Sequence, residues 1–189
     1  MSWRKNLGYG LGLLVLVPAV IAAKVLPWQE KYQTLTGKGG REAVAAHGQP
    51  ARLNGMEWRL KSITEGKPPQ EFARPLPPRT KIAIVLTSVK PLTEQASKWF
   101  GATTGSTCKF TLTDAAGRTW APSFRTDLAP KSGYAASCFA LDADYKPAPL
   151  PVGKELTTQT VFVVPADAFT SLRVEVRLTP DPGTVRLAR

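Results

Sequence analysis

From Leu172 to Leu178 every second residue is apolar: Leu172, Val174, Val176 and Leu178 alternate with Arg173, Glu175 and Arg177. Successive side chains of a strand point to opposite faces, so this stretch offers one face to a core and the other to water. The same period of two recurs in GMEWRLK, where Met56, Trp58 and Leu60 oppose Glu57, Arg59 and Lys61. It recurs again where Cys108, Phe110 and Leu112 oppose Lys109, Thr111 and Thr113. A chain that repeats this pattern has to pair its strands and cover their apolar faces.

The remaining segments fit the same scheme. TKIAIVLTSVKP, Thr80 to Pro91, is apolar on both sides, with Ile82, Ile84 and Leu86 facing one way and Ala83 and Val85 the other, which predicts a central strand. After Thr113 the residues Asp114-Ala115-Ala116-Gly117 form a tight-turn sequence and RTWAP returns as a hairpin partner. YAASCFAL, Tyr134 to Leu141, and Leu156 to Val164 are two further predicted strands, the second stopped by Pro165. EGKPPQEFARPLPPRT holds five prolines in sixteen residues and is expected as an extended loop, because proline donates nothing to a sheet ladder. LTEQASKWFGATTGS is expected as a variable link, and Asp142 and Asp144 as a solvated turn with too few oxygen ligands for Ca²⁺. PDPGTVRLAR is expected to fray.

The N-terminal segment is of another kind. Asn6 to Ala23 contains eighteen uncharged residues, preceded by Arg4 and Lys5 and followed by Lys24. At about 1.5 Å per residue, with Lys24 snorkelling and Val25 and Leu26 added, this approaches the roughly 30 Å of a bilayer core. Trp3 and Trp28 stand near its two ends, where amphipathic rings favour the headgroup layer. A secretory signal peptide is the rival reading, in which case the remainder is secreted. Arg4 and Lys5 hold the N-terminus on the cytoplasmic side, so either reading exports the rest. The expected organisation is a cytoplasmic tail at 1–6, a transmembrane signal-anchor helix at 7–26, a juxtamembrane stalk at 27–50, a β-sandwich at 51–180 and a C-terminal tail at 181–189.

Cys108 and Cys138 are the two cysteines, and an isolated pair in an exported chain is expected to be a disulfide. Beyond residue 26 the chain carries 22 basic residues against 14 acids, +8. They occur singly, without a polybasic block interleaved with aromatics, which argues against a nucleic-acid surface. A solvated surface facing an anionic membrane or envelope polymer is the expectation.

These features predict an all-β fold, an antiparallel immunoglobulin-like β-sandwich preceded by a single N-terminal transmembrane helix. GMEWRLKSI, TKIAIVLTSVKP, the hairpin CKFTLTDAAGRTW, LPVGKELTTQTVFVVP and LRVEVRL follow one another in an order that resembles the immunoglobulin-like or telokin-like domains of unknown function found in exported and membrane-anchored proteins of Gram-positive bacteria. The resemblance covers about Pro50 to Pro180. Related domains usually have an Asn near the end of the apolar strand, where this chain has Ser88 to Lys90. The resemblance implies a fold and an envelope location and supplies no catalytic residues.

No G-x-S-x-G, H-E-x-x-H, Walker or G-x-G-x-x-G motif is present, and the one histidine, His47, lies in the stalk. No catalytic residue, cofactor or metal ligand is therefore assigned. The expected function is a non-catalytic envelope module, membrane-bound through residues 7–26, that binds or scaffolds another envelope protein. Its candidate contact patch is Trp99, Phe100 and Trp120. Electrostatic association with anionic wall polymers or lipid headgroups is the alternative, and a secreted hydrolase a distant one.

Overall fold

The computed structural model describes residues 41–67, 75–101, 107–124, 134–135, 137–179 and 183–189. The Leu7–Ala23 run, most of the stalk and the 68–74 part of the proline-rich loop lie outside them. No helix among the described residues is long and apolar enough to cross a membrane.

Among the described residues nine strands form two sheets. In chain order they are β1 (Arg41–Ala45), β2 (Ala51–Leu53), β3 (Met56–Gly66), β4 (Thr80–Pro91), β5 (Thr107–Thr113), β6 (Thr119–Trp120), β7 (Leu156–Pro165), β8 (Arg173–Thr179) and β9 (Gly183–Ala188). The first sheet has the order β1-β9-β8-β5-β6 and the second β2-β3-β4-β7. The chain crosses between sheets at β1–β2, β4–β5, β6–β7 and β7–β8, so strands distant in sequence share one core.

The alternation predicted for β8 holds along its length. Val174, Val176 and Leu178, with Leu172 just before them, are buried, and Arg173 and Arg177 are exposed. They meet Phe110 and Leu112 of β5 and Val185 and Leu187 of β9, and the facing sheet supplies Trp58, Val85, Val89, Phe162 and Val164. Trp58 and Phe162 are fully enclosed. β4 lies between β3 and β7, as its two apolar faces require. Ala83, Val85 and Val89 enter the main core, whereas Ile82 and Ile84 join Val161, Val163 and Leu76 in a second small cluster. In β3 the register against β4 shifts between Leu60 and Ser62, so Lys61 is an extra residue. That bulge reverses the parity, and the next buried side chain is Ile63.

Five expectations are corrected. The segment read as stalk up to residue 50 contains β1, and the tail expected to fray contains β9; they pair with each other, and Ala45, Val185 and Leu187 are buried. Apolar contacts made by both segments outweigh the fraying expected of a short terminal stretch. That pair is parallel, so the sandwich is not purely antiparallel. The link after Pro91 forms a helix, α1 (Glu94–Phe100), with Thr93 as N-cap: its Oγ1 accepts from the Ala96 N–H at 3.2 Å. Ala96 and Phe100 lie on its buried face. Finally, the segment carrying Cys138 is not a strand. The Ala140 carbonyl accepts from the Ala148 N–H and that of Lys146 from the Asp142 N–H, so this backbone closes on its own loop, and among the described residues it pairs with the sheets in an isolated bridge, Ala135 to Thr158.

Candidate functional site

An Asn-Gly dipeptide builds the first wall of the site. β2 and β3 are joined by Asn54-Gly55, whose φ values of 50° and 70° are both positive, the condition for a tight two-residue hairpin. Gly55 is needed twice over, because a Cβ there would also lie 2.6 Å from Thr93 Oγ1. The Gly55 carbonyl accepts from the Leu92 N–H at 2.7 Å, which fixes the turn against the start of α1.

The second wall is α1, which presents Gln95, Ala96 and Trp99. The floor comes from the edge of the first sheet, where Arg41, Gly183 and Leu178 form one cross-strand row. Gly183 has to lack a side chain: a Cβ would sit 2.7 Å from Leu53 Cδ2 and 3.2 Å from Asn54 Nδ2. Between these walls is an open cleft of about 620 Å³. No carboxylate is among the described residues lining it, and Arg41 is its one charged group among them.

Among the described residues, both amide atoms of Asn54 and the indole Nε1 of Trp99 are shielded from solvent and have no hydrogen-bond partner, as is also true of the core Trp58 Nε1. Met56, Ala96 and Leu178 supply apolar surface in the cleft.

The three aromatics expected to form one exposed patch are placed differently. Phe100 is fully buried and cannot be a contact residue; Trp99 is half-buried against it, ring centroids 5.2 Å apart at 84°. The reason is helical spacing, which turns Phe100 into the core and leaves Trp99 at the cleft. Trp120 is half-buried on β6, opposite Leu112, with the Arg118 guanidinium 5.6 Å from its ring centre. Only Trp99 of the three lines the cleft. Sequence reasoning missed Arg41, Asn54 and Gly183; the Asn-Gly pair ahead of an alternating run was the available signal for Asn54.

Cys108 of β5 and Cys138 form a disulfide, with Cα atoms 5.9 Å apart and a sequence separation of 30. His47 is exposed in the turn after β1. Asp142 Oδ1 accepts from the N–H groups of Asp144 and Lys146, each at 2.9 Å, so the two aspartates make a turn as expected.

Charges on the outer faces run in cross-strand rows. Glu57 of β3 stands between Arg52 of β2 and Lys90 of β4 and pairs with both. The bonds from Lys90 first and Arg52 second hold its carboxyl below the usual range, against the opposing effect of burial. On the other sheet Arg186 pairs with Glu42 and Glu175, and Arg177 also pairs with Glu175.

No protein-family model and no curated protein sequence matches the chain. Solved structures resemble it in fold. An uncharacterized β-sandwich protein from Clostridium difficile 630 has 8% identity and a TM-score of 0.40, covering 80% of this chain and 96% of that one. The yjhA protein from Bacillus subtilis has 10% identity and a TM-score of 0.49, covering 75% and 97%. A functionally unknown protein from Listeria monocytogenes EGD-e has 11% identity and a TM-score of 0.40, covering 71% of each. Similarity at these levels assigns no activity.

Proposed function

We propose that this chain is an extracytoplasmic binding module of a bacterial envelope, tethered by a transmembrane helix at 7–26 and holding a partner at the Asn54–Trp99 end of an immunoglobulin-like sandwich. The observation that carries the reading is the cleft itself, an open concavity of about 620 Å³ lined by Asn54 and Gly55 of the turn and by Ala96 and Trp99 of α1, the kind of surface that ligands and partners occupy. Export is supported by the Cys108–Cys138 disulfide, a bond that persists in oxidising compartments. The immunoglobulin-like assignment is supported by the facing of β3-β4-β7 with β9-β8-β5-β6 and by the parallel addition of β1 to the last strand. The reading is non-catalytic, a binding or scaffolding role.

The test is recovery of partners from native envelopes by the wild-type chain and by Asn54→Gly, which retains the positive φ of the turn and removes the amide. A partner retained by wild type and lost by the variant is expected. A set of partners unchanged by the substitution would overturn the cleft as the binding surface. Protease added to intact cells should digest the domain; its protection would refute the orientation.

A second reading, association with anionic polymers or headgroups, is favoured by one arrangement. Lys109 and Arg177 stand directly opposite each other on β5 and β8, a like-charge pair that Glu175 partly offsets through Arg177 and that an anion would relieve further. Binding of that kind collapses as salt rises, whereas cleft binding should be less sensitive.

A further inference from the structure

The two sheets present unlike outer faces, and the one carried by β5, β8 and β9 suits a particular kind of polyanion; this inference rests on the second reading above. We propose that the outer face of the first sheet binds a linear phosphate polymer laid along β8, with Lys109, Arg177, Arg186 and Arg173 meeting phosphates spaced along it.

Strand register sets the spacing. Outward side chains of β8 follow one another at Arg177, Glu175 and Arg173, every second residue, so their cross-strand rows lie about 7 Å apart. Each row holds a cation: Lys109 and Arg177 stand opposite each other in the first, Arg186 faces Glu175 in the second, and Arg173 faces Thr113 in the third. All four cations are exposed. The result is a basic band about 14 Å long, which one small anion cannot span and a chain of anions can. Two acids share the face. Glu42 pairs with Arg186, and Glu175 accepts from Arg177 Nε at 2.7 Å on one oxygen and from Arg186 Nε at 3.2 Å on the other. Held through Nε, Arg177 keeps its two terminal nitrogens without a partner among the described residues, a fork that suits phosphate. Lys109 and Arg173 make no ion pair among the described residues.

The side chains around the band narrow the partner. Thr111, Thr113 and Thr184 stand among the cations as hydroxyl donors, and no aromatic residue is on the outward positions of β5, β8 or β9. The face therefore has no ring for a nucleic-acid base to stack on. Val44, exposed on β1, is its one large aliphatic among the described residues, too little to enter a bilayer or to anchor a protein partner. The second sheet offers no comparable band: Ile82 and Val161, outward on β4 and β7, are buried in a cluster with Leu76, and Glu57, Glu65 and Glu155 each pair with a lysine.

The experiment holds the full-length chain in phosphatidylcholine nanodiscs and titrates it by calorimetry, at low salt, with inorganic phosphate, tripolyphosphate and long-chain polyphosphate. The long chain is expected to bind at least about tenfold more tightly per phosphate than tripolyphosphate, which is too short to reach from Arg177 to Arg173. Lys109→Ser with Arg173→Ser should weaken the long chain by about tenfold. Arg59→Ser with Lys98→Ser removes the same charge from exposed positions on β3 and α1, and should change the affinity by less than about twofold. Added salt should weaken the wild type more than the Lys109, Arg173 double variant. Equal losses from the two double variants, or no gain with chain length, would overturn the proposal. If polyphosphate fails while phosphatidylglycerol vesicles still sediment the chain in a salt-sensitive way, the polymer class is wrong and the electrostatic reading stands. If neither binds, both fall.

Discussion

The carboxylate of Asp114 is bound twice by Arg118: Oδ2 accepts from the guanidinium Nε at 2.7 Å and Oδ1 from the backbone N–H at 2.9 Å. The pair closes the β5–β6 hairpin across Gly117, whose φ is +80° and whose N–H donates to the Asp114 carbonyl at 3.1 Å. Arg118 also reaches Asp167 at 2.9 Å, in the turn between β7 and β8. One arginine therefore ties the hairpin to the following crossover.

Asp114→Asn should lower the melting temperature at pH 7, because the amide keeps the shape and loses the charge that both bonds use. The difference from wild type should shrink as the pH is brought below the carboxylate range, where the wild-type group is itself neutral. Paired thermal melts at pH 7 and at acid pH check this.

Acid should destabilise the domain in a definite window. Glu57 is held below its ordinary value of 4.5 by bonds from Lys90 and Arg52. For Asp114 and Glu175 burial acts upward, and the bonds from Arg118, and from Arg177 and Arg186, prevail to leave both lowered. The unfolded chain then binds more protons than the folded one between the folded pKa values and the ordinary ones. This stability is complete above about pH 5 and is lost as the pH falls through the folded values. Urea midpoints measured between neutral and strongly acid pH should decline there; a flat profile would contradict these pairings.

Removing the disulfide should cost about 3.5 kcal/mol by the loop-closure estimate for a 30-residue span. Cys108→Ser with Cys138→Ser, unfolded in urea beside the oxidised chain, measures the loss. On a non-reducing gel the wild type should run faster than its reduced form, and Cys108→Ser should show no difference.

Gly101→Ala should destabilise although its φ is ordinary. A Cβ would lie 2.6 Å from the Pro149 nitrogen and 2.9 Å from the Ala148 carbonyl carbon, both backbone atoms that yield only if the loop moves. The expected cost is about 1–3 kcal/mol, read from urea unfolding.

Where period two is unbroken, sequence and fold agree: β4 and the inward face of β8 lie where the alternation puts them. β1 and β9 were illegible for a physical reason. REAVA and GTVRLA have few large apolar residues; β9 pairs with the adjoining β8, and β1 acquires its partner only because the fold brings β9 beside it, across more than a hundred residues. α1 spans seven residues, too few for a period of 3.6 to repeat, although Thr93 followed by Glu94 is a capping sequence. For the cleft, Trp99 was legible as an aromatic near the surface. Arg41 and Gly183 were not, since their role arises from a row that only tertiary pairing creates.

The second sheet ends at β7, ten residues long, and a strand of that length with a bare edge would be a template for a neighbouring chain. The edge is instead occupied at intervals: the Thr157 and Val161 carbonyls accept from the N–H groups of Ala135 and Ser123, and the Gln159 N–H donates to the Ala135 carbonyl. At the opposite edge β2 has three residues, and β6 at the rim of the first sheet has two. Copies crowded onto one surface thus find no long ladder through which to zip together, and such a module can be dense without becoming a fibre.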